Sequence, residues 1–168
     1  KSDSSTAVTI TVTPKPATLV AKSNNASVCL GTSAVLTATG CTGTVTWTGN
    51  LTGSSVTVTP SKTSTYKALC TVNGCQSDSS TAVTITVTPK PTTPIAKSNN
   101  ASVCLGTSAV LSATGCSGVV SWTGGLTGSS VTVTPSKTST YKALCNLNGC
   151  KSDSSTAVTI TVTPKPAT

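Results

Sequence analysis

The most reactive side chains in this 168-residue chain are eight cysteines and three aspartates, accompanied by eleven lysines and no histidine, arginine or glutamate. Cys29, Cys41, Cys70 and Cys75 recur as Cys104, Cys116, Cys145 and Cys150, each displaced by 75 positions, and Asp3, Asp78 and Asp153 follow the same interval. General acid–base catalysis draws on His, Glu and Asp with tuned pKa values, and one carboxylate per repeat is a poor basis for it. A calcium cage needs several oxygen ligands converging on one point, which isolated aspartates do not supply. Four cysteines could in principle bind zinc, but the gaps 29–41, 41–70 and 70–75 contain no Cys-x-x-Cys knuckle, and a dithiol redox motif fails for the same reason. No catalytic, cofactor-binding or metal-ligating residue is therefore assigned, and the chain is not expected to be an enzyme. An even number of cysteines in a composition of extracellular type reads first as a disulfide framework.

The elements that must position these sulfurs are repeated. SDSSTAVTITVTPKP occurs at 2–16, 77–91 and 152–166. The bodies between, 17–75 and 92–150, align without gaps and differ at ten positions, half of them Thr/Ser or Val/Ile/Leu exchanges. The phase predicts the C-terminal strand of a preceding repeat at 1–16, a first repeat at 17–91, and a second at 92–168 that includes its closing strand and the start of the next linker. There is no basic-then-apolar leader and no run of about 18 apolar residues. Membrane insertion is not expected, and the chain reads as a segment of a longer repetitive polypeptide.

Hydrophobicity alternates with period two. Val83, Ile85 and Val87 point one way while the intervening threonines point the other, and Ala34, Leu36 and Ala38 form another inward row. Turn signals such as Gly31-Thr32, Thr48-Gly49-Asn50, Pro60-Ser61-Lys62 and Asn73-Gly74 punctuate the runs. No window offers a capped amphipathic helix. The pattern predicts an all-β sandwich in each repeat, with strands at about 18–23, 33–40, 44–48, 54–60, 64–72 and 80–88, copied at 75 positions further on. Trp47 and Tyr66, with Trp122 and Tyr141, occupy the places of the core tryptophan and the tyrosine corner of immunoglobulin-like sandwiches, and are expected to pack rather than bind.

So small a core needs covalent help. Cys41 ends one predicted strand and Cys70 lies late on another at the same end, so Cys41–Cys70 and its copy Cys116–Cys145 are expected pairs. Cys29 is harder to place, because a conventional topology puts it at the far end from Cys75, and a disulfide tolerates Cα separations of only about 4.4–6.8 Å. Either the chain folds back to form Cys29–Cys75 and Cys104–Cys150, the preferred assignment, or Cys29 bonds outside its own repeat, towards Cys150.

Val28-Cys29-Leu30-Gly31-Thr32, Val45-Thr46-Trp47, Thr65-Tyr66-Lys67-Ala68-Leu69-Cys70, Asn73-Gly74-Cys75 and the closing Val-Thr-Ile-Thr-Val together resemble the immunoglobulin-like repeats of large Bacteroidota cell-surface adhesins. Such proteins are exported by the type IX system and are associated with gliding or attachment. The resemblance implies tandem immunoglobulin-like domains arranged as a rod, in an extracellular, secreted, cell-surface molecule. It implies a structural segment of a fibre or adhesin stalk, with no cofactor and no catalytic residues to carry over.

The formal charge of +8 comes from scattered lysines without interleaved aromatics, so nucleic acid is not an expected partner. The lysines suit solubility and discourage edge-to-edge pairing, with a weak contact to acidic polysaccharide as the alternative. Asn25, Asn50 and Asn100 begin formal glycosylation sequons. Expected partners are neighbouring repeats and, in a filament, identical chains. Three copies of the closing strand for two bodies also fit strand exchange between units, although the short connection after Asn73-Gly74 favours each body using the strand that follows it. A carbohydrate- or surface-binding module is the rival function, but it would need aromatics that the core consumes.

Overall fold

The structure is a computed structural model and describes residues 5–164. Its chain divides into two units, Lys1–Val87 and Thr88–Thr168. The described residues form strands and loops and contain no helix.

In the first unit the strands are β1 (Val20–Ser23), β2 (Ser27–Cys29), β3 (Ala34–Thr39), β4 (Thr44–Trp47), β5 (Leu51–Thr52), β6 (Ser55–Val58), β7 (Ser64–Tyr66), β8 (Ala68–Val72), β9 (Cys75–Gln76) and β10 (Val83–Thr88). The period-two pattern explains them, since Ala34, Leu36, Ala38, Val45, Trp47, Val58 and Ile85 are buried while the residues between them face outward or are half-buried. One layer has the order β1-β3-β6 and is antiparallel throughout. The other combines β5-β4-β8-β9 with β2-β10-β7, because β7 and β8 are two halves of one strand interrupted at Lys67. Even there pairing continues, as the Thr48 amide donates to the Lys67 carbonyl at 3.0 Å and the Lys67 amide donates to Thr48 Oγ1 at 3.2 Å. This arrangement is an immunoglobulin-like β-sandwich.

The second unit repeats it with β11 (Ile95–Ser98), β12 (Ser102–Cys104), β13 (Ala109–Thr114), β14 (Val119–Trp122), β15 (Ser130–Val133), β16 (Ser139–Tyr141), β17 (Ala143–Leu147), β18 (Cys150–Lys151) and β19 (Val158–Thr163). Its sheets are β11-β13-β15, β12-β19-β16 and β14-β17-β18. Each body is thus closed by the strand that follows it in sequence, β10 pairing with β7 and β19 with β16.

The first predicted strand differs from expectation by splitting in two. Asn24 turns the chain out of the first layer, its Oδ1 accepting from the Val35 amide at 2.8 Å and its own amide donating to the Val35 carbonyl at 3.1 Å. Ser27–Cys29 then join the opposite layer beside β10, and in the second unit their copy β12 runs parallel to β19 with Ser102 opposite Thr161 and Cys104 opposite Thr163. Sequence reasoning stops short of this segment because three residues are too few to show a period.

Glycine is required at two kinds of place. In the β8–β9 turn Asn73 and Gly74 both have positive φ, 49° and 81°, as a tight hairpin demands. At Gly43 and Gly118 a Cβ would overlap the carbonyl of Thr71 or Asn146 on the neighbouring strand, so any side chain there forces the pair apart.

Candidate functional site

The chemistry available to each unit is cross-linking and clamping, and it concentrates at the two ends of the sandwich. Cys41 and Cys70 are bonded, with Cα atoms 5.6 Å apart, and Cys116 and Cys145 repeat the bond at 5.4 Å. In each unit this bridge lies at the end where the strand carrying Cys70 or Cys145 runs into its Asn-Gly turn. Cys29 and Cys150 are also disulfide-bonded, whereas Cys75 and Cys104 are free thiols.

The expected pairs Cys29–Cys75 and Cys104–Cys150 are therefore not formed, and strand register gives the reason. Cys104 lies opposite Thr163, three residues beyond Ile160, which itself lies opposite Ser139. Cys150 lies opposite Leu147, at the other end of the same long strand. About ten strand residues separate the two levels, or roughly 30 Å, against the few ångströms a disulfide spans.

Between these ends runs a polar ladder that sequence reasoning missed. Ser77 and Ser80 are 5% and 3% exposed. The Ser77 amide donates to the Cys70 carbonyl at 2.8 Å while Ser77 Oγ accepts from the Cys70 amide at 2.9 Å. Ser80 grips Ala68 in the same way, at 2.9 Å for both bonds. Each hydroxyl then donates its own proton, to the Asp78 and Thr81 carbonyls respectively. Ser152 and Ser155 repeat the arrangement on Cys145 and Ala143. The segment 77–82 thus stays bonded to β8 where it departs from strand geometry, with hydroxyls replacing backbone carbonyls as acceptors. The signal available in the sequence is the invariance of Ser-Asp-Ser-Ser across three copies, which reads locally only as a turn.

Both described aspartates pair with the Pro-Lys-Pro segment that enters their own unit. Lys15 Nζ donates to Asp78 Oδ1, and Lys90 Nζ donates to Asp153 Oδ1 at 2.8 Å. The side chains are 44–74% exposed, so each pair contributes little energy. Its effect is positional, fixing the entering segment against the connection after β9 or β18. Asp3 lies outside the described residues.

Trp47 and Trp122 are 4% exposed, their Nε1 atoms donating to the Gly53 and Gly128 carbonyls at 2.9 Å. Tyr66 and Tyr141 are only half-buried, packed against the core from its edge. Lys22, Lys62, Lys67, Lys97, Lys137 and Lys142 are exposed and scattered, and so are Asn25, Asn50 and Asn100. No three His, Cys, Asp or Glu side chains come together as a metal site among the described residues. A hollow of about 500 Å³ lies at the entry end of the first unit, between Thr13–Ala17 and the Cys70–Asn73 region. Another of about 290 Å³ lies at the exit end of the second, beside Leu105, Lys137 and Pro164.

No family model and no curated protein matches the chain. Among solved structures, murine CEACAM1b aligns over 86% of this chain and 100% of its own, at 13% identity and a TM-score of 0.43. A chain from the complex of the mouse coronavirus receptor-binding domain with its murine receptor covers the same shares at 12% identity and a TM-score of 0.47. The human OSCAR ligand-binding domain covers 86% of this chain and 98% of its own, at 14% identity and a TM-score of 0.36. At these scores the assignment to an immunoglobulin-like sandwich stands on the strand order itself.

Proposed function

We propose that the chain is a structural segment of an extracellular fibre or adhesin stalk, in which repeated modules hold a functional tip away from a cell surface or build a surface filament. The observation that carries this reading is the Lys15–Asp78 pair and its copy Lys90–Asp153, which tie each entering Pro-Lys-Pro segment to the module it leads into. Proline removes amide donors and stiffens that segment, and the lysine holds it against the module it enters. The disulfides fit an oxidising compartment. A bacterial adhesin of the type the motifs resemble is the finer form of the proposal, and a non-enzymatic role goes with it.

The reading is tested by imaging chains of two, four and six repeats by negative-stain electron microscopy. A stalk segment gives extended particles whose length rises by a constant increment per repeat. Collapsed particles with no such increment would reject it.

A second reading, strand exchange, is favoured by one feature. Val8, Ile10 and Val12 are 83–86% exposed although they copy the apolar row of the closing strand. Such a strand could complete a module that lacks its own. Mixing this chain with a variant deleted from residue 152 onward and observing a stable one-to-one complex would support exchange, and no complex would discard it.

A further inference from the structure

We propose that residues 5–13 of one chain add as an extra strand to the open edge of β6, or of its copy β15, in a second copy of the chain. The occupant is thus a named segment of an identical molecule, and the module that receives it keeps all its own strands.

The donor is a strand-forming sequence without a sheet. Residues 5–13 repeat 80–88 residue for residue, and 80–88 contains β10, which is bonded on one side to β2 and on the other to β7. The same residues therefore form a strand when partners flank them. In 5–13 no hydrogen bond reaches another described residue, and the apolar row Val8, Ile10 and Val12 is 83–86% exposed.

The acceptor is an unguarded margin. Sheet β1-β3-β6 ends on one side at β1, which carries Lys22 within its four residues. A lysine on an edge strand discourages pairing with another chain. The opposite margin, β6, lies in a stretch, 54–61, without a single charge. Other margins of the first unit are shorter, with two residues in β5 and in β9 and three in β2. The Ala38 amide donates to the Ser54 carbonyl at 2.8 Å, and Ala34, Leu36 and Ala38 continue that register opposite Val58, Val56 and Ser54. Because bonded and non-bonded pairs alternate in an antiparallel ladder, Ser54, Val56 and Val58 turn their main-chain groups to β3. Ser55, Thr57 and Thr59 turn theirs away from it, to the open side. In the second unit the Ala113 amide donates to the Ser129 carbonyl at 2.8 Å, which leaves Ser130, Thr132 and Thr134 facing outward from β15 in the same way.

Donor and acceptor share one period. Antiparallel pairing with Thr11 opposite Thr57 sets Thr9 opposite Thr59 and Thr13 opposite Ser55, so hydroxyl-bearing residues meet along the free main-chain groups. Ile10 and Val12 then lie beside Val58 and Val56, both of which pack on the core side of their sheet. Cross-strand threonine pairs of this kind stabilise a sheet, and the copy of Thr9 already makes one, Thr84 Oγ1 lying 3.1 Å from Thr65 Oγ1.

This contact does not rest on the stalk reading, and it differs from strand exchange in leaving β10 and β19 in place. Sedimentation velocity of the whole chain from about 10 µM to about 1 mM spans the range of a weak strand pairing, and the mean sedimentation coefficient should rise with concentration. Ile10→Lys in the donor, and Thr57→Lys with Thr132→Lys in the acceptors, alter exposed positions. Each should weaken association about tenfold or more by charging the pairing edge. Hydrogen exchange at high concentration should slow at 5–13 and at 55–59 or 130–134, with protection of 83–88 and 158–163 unchanged. A monomer at every concentration, or association indifferent to either set of lysines, would overturn the proposal. Association accompanied by lost protection at 158–163 would overturn it in favour of strand exchange.

Discussion

Residues 5–13 and 80–88 have the same sequence, Ser-Thr-Ala-Val-Thr-Ile-Thr-Val-Thr, and different structures. The second stretch contains β10, bonded in the sheet order β2-β10-β7 with Ile85 fully buried. The first carries no strand, and its Ile10 is 83% exposed. Local β propensity is identical in the two, so it cannot be what makes the strand. The difference is a body: β2 and β7 to pair with, a core to receive Ile85, and a serine clamp to set the register. Strand formation here is a tertiary event, as expected when propensity mostly reports fit to a half-buried pleated surface.

That contrast can be tested by making the same change in both copies. Ile85→Ala should lower the stability of the first unit by about 4 kcal/mol, within the range for truncating a buried isoleucine. Ile10→Ala should change it by less than about 0.5 kcal/mol. Urea unfolding of each variant checks the pair, and equal effects would mean that residues 5–13 are held in a core after all.

Removing the Cys41–Cys70 bridge as a Cys41→Ala, Cys70→Ala variant attacks the body instead of the strand. The bridge closes a separation of 29 residues, and chain-entropy arguments put its contribution at about 3.5 kcal/mol. Hydrogen exchange of the amides at 83–88 should then accelerate towards the rates at 8–13, the sequence staying constant. Unchanged protection at 83–88 would mean that strand pairing alone suffices.

The serine clamp gives a smaller effect. Ser80→Ala deprives the buried Ala68 amide of the Ser80 Oγ acceptor and should cost about 2 kcal/mol, while Ser5→Ala, at an exposed copy of the same position, should cost nothing measurable. Thermal unfolding of the two variants provides the comparison. Smallest is Lys15→Ala, which breaks an exposed ion pair with Asp78. It should change stability by about 0.5 kcal/mol or less, yet increase subtilisin nicking within 8–13 by freeing the entering segment.

How far the sequence revealed this molecule depended on the length of each signal. The rows Ala34-Leu36-Ala38 and Val83-Ile85-Val87 are long enough to show period two, and the strands they predict are present as β3 and β10. Val45 and Trp47 made the next strand legible for the same reason. The segment Ser27-Val28-Cys29 carries too short a pattern to reveal that it changes layers, and without that change the position of Cys29 beside the closing strand is invisible. Ser80 was placed at the start of a predicted strand and Ser77 was given no role, because a serine's identity does not say whether its hydroxyl meets water or a buried amide. The expected bonds Cys29–Cys75 and Cys104–Cys150 failed for a related reason, since the layer change that carries each first cysteine away from the second is not written in their spacing. Tyr66 was expected inside and sits at the core's edge, where one aromatic can shield several small residues.

The short segment β2 has a consequence for solubility. Val83–Thr88 is the stretch with the strongest tendency to self-associate, being alternating, β-branched, uncharged and free of proline. Placed at a sheet margin it would offer a bare row of amides and carbonyls to any passing copy of itself. By lying along one side of β10 while β7 occupies the other, three residues of β2 turn that stretch from a margin into an interior strand. Each unit can then carry this stretch without offering it edge to edge to another copy.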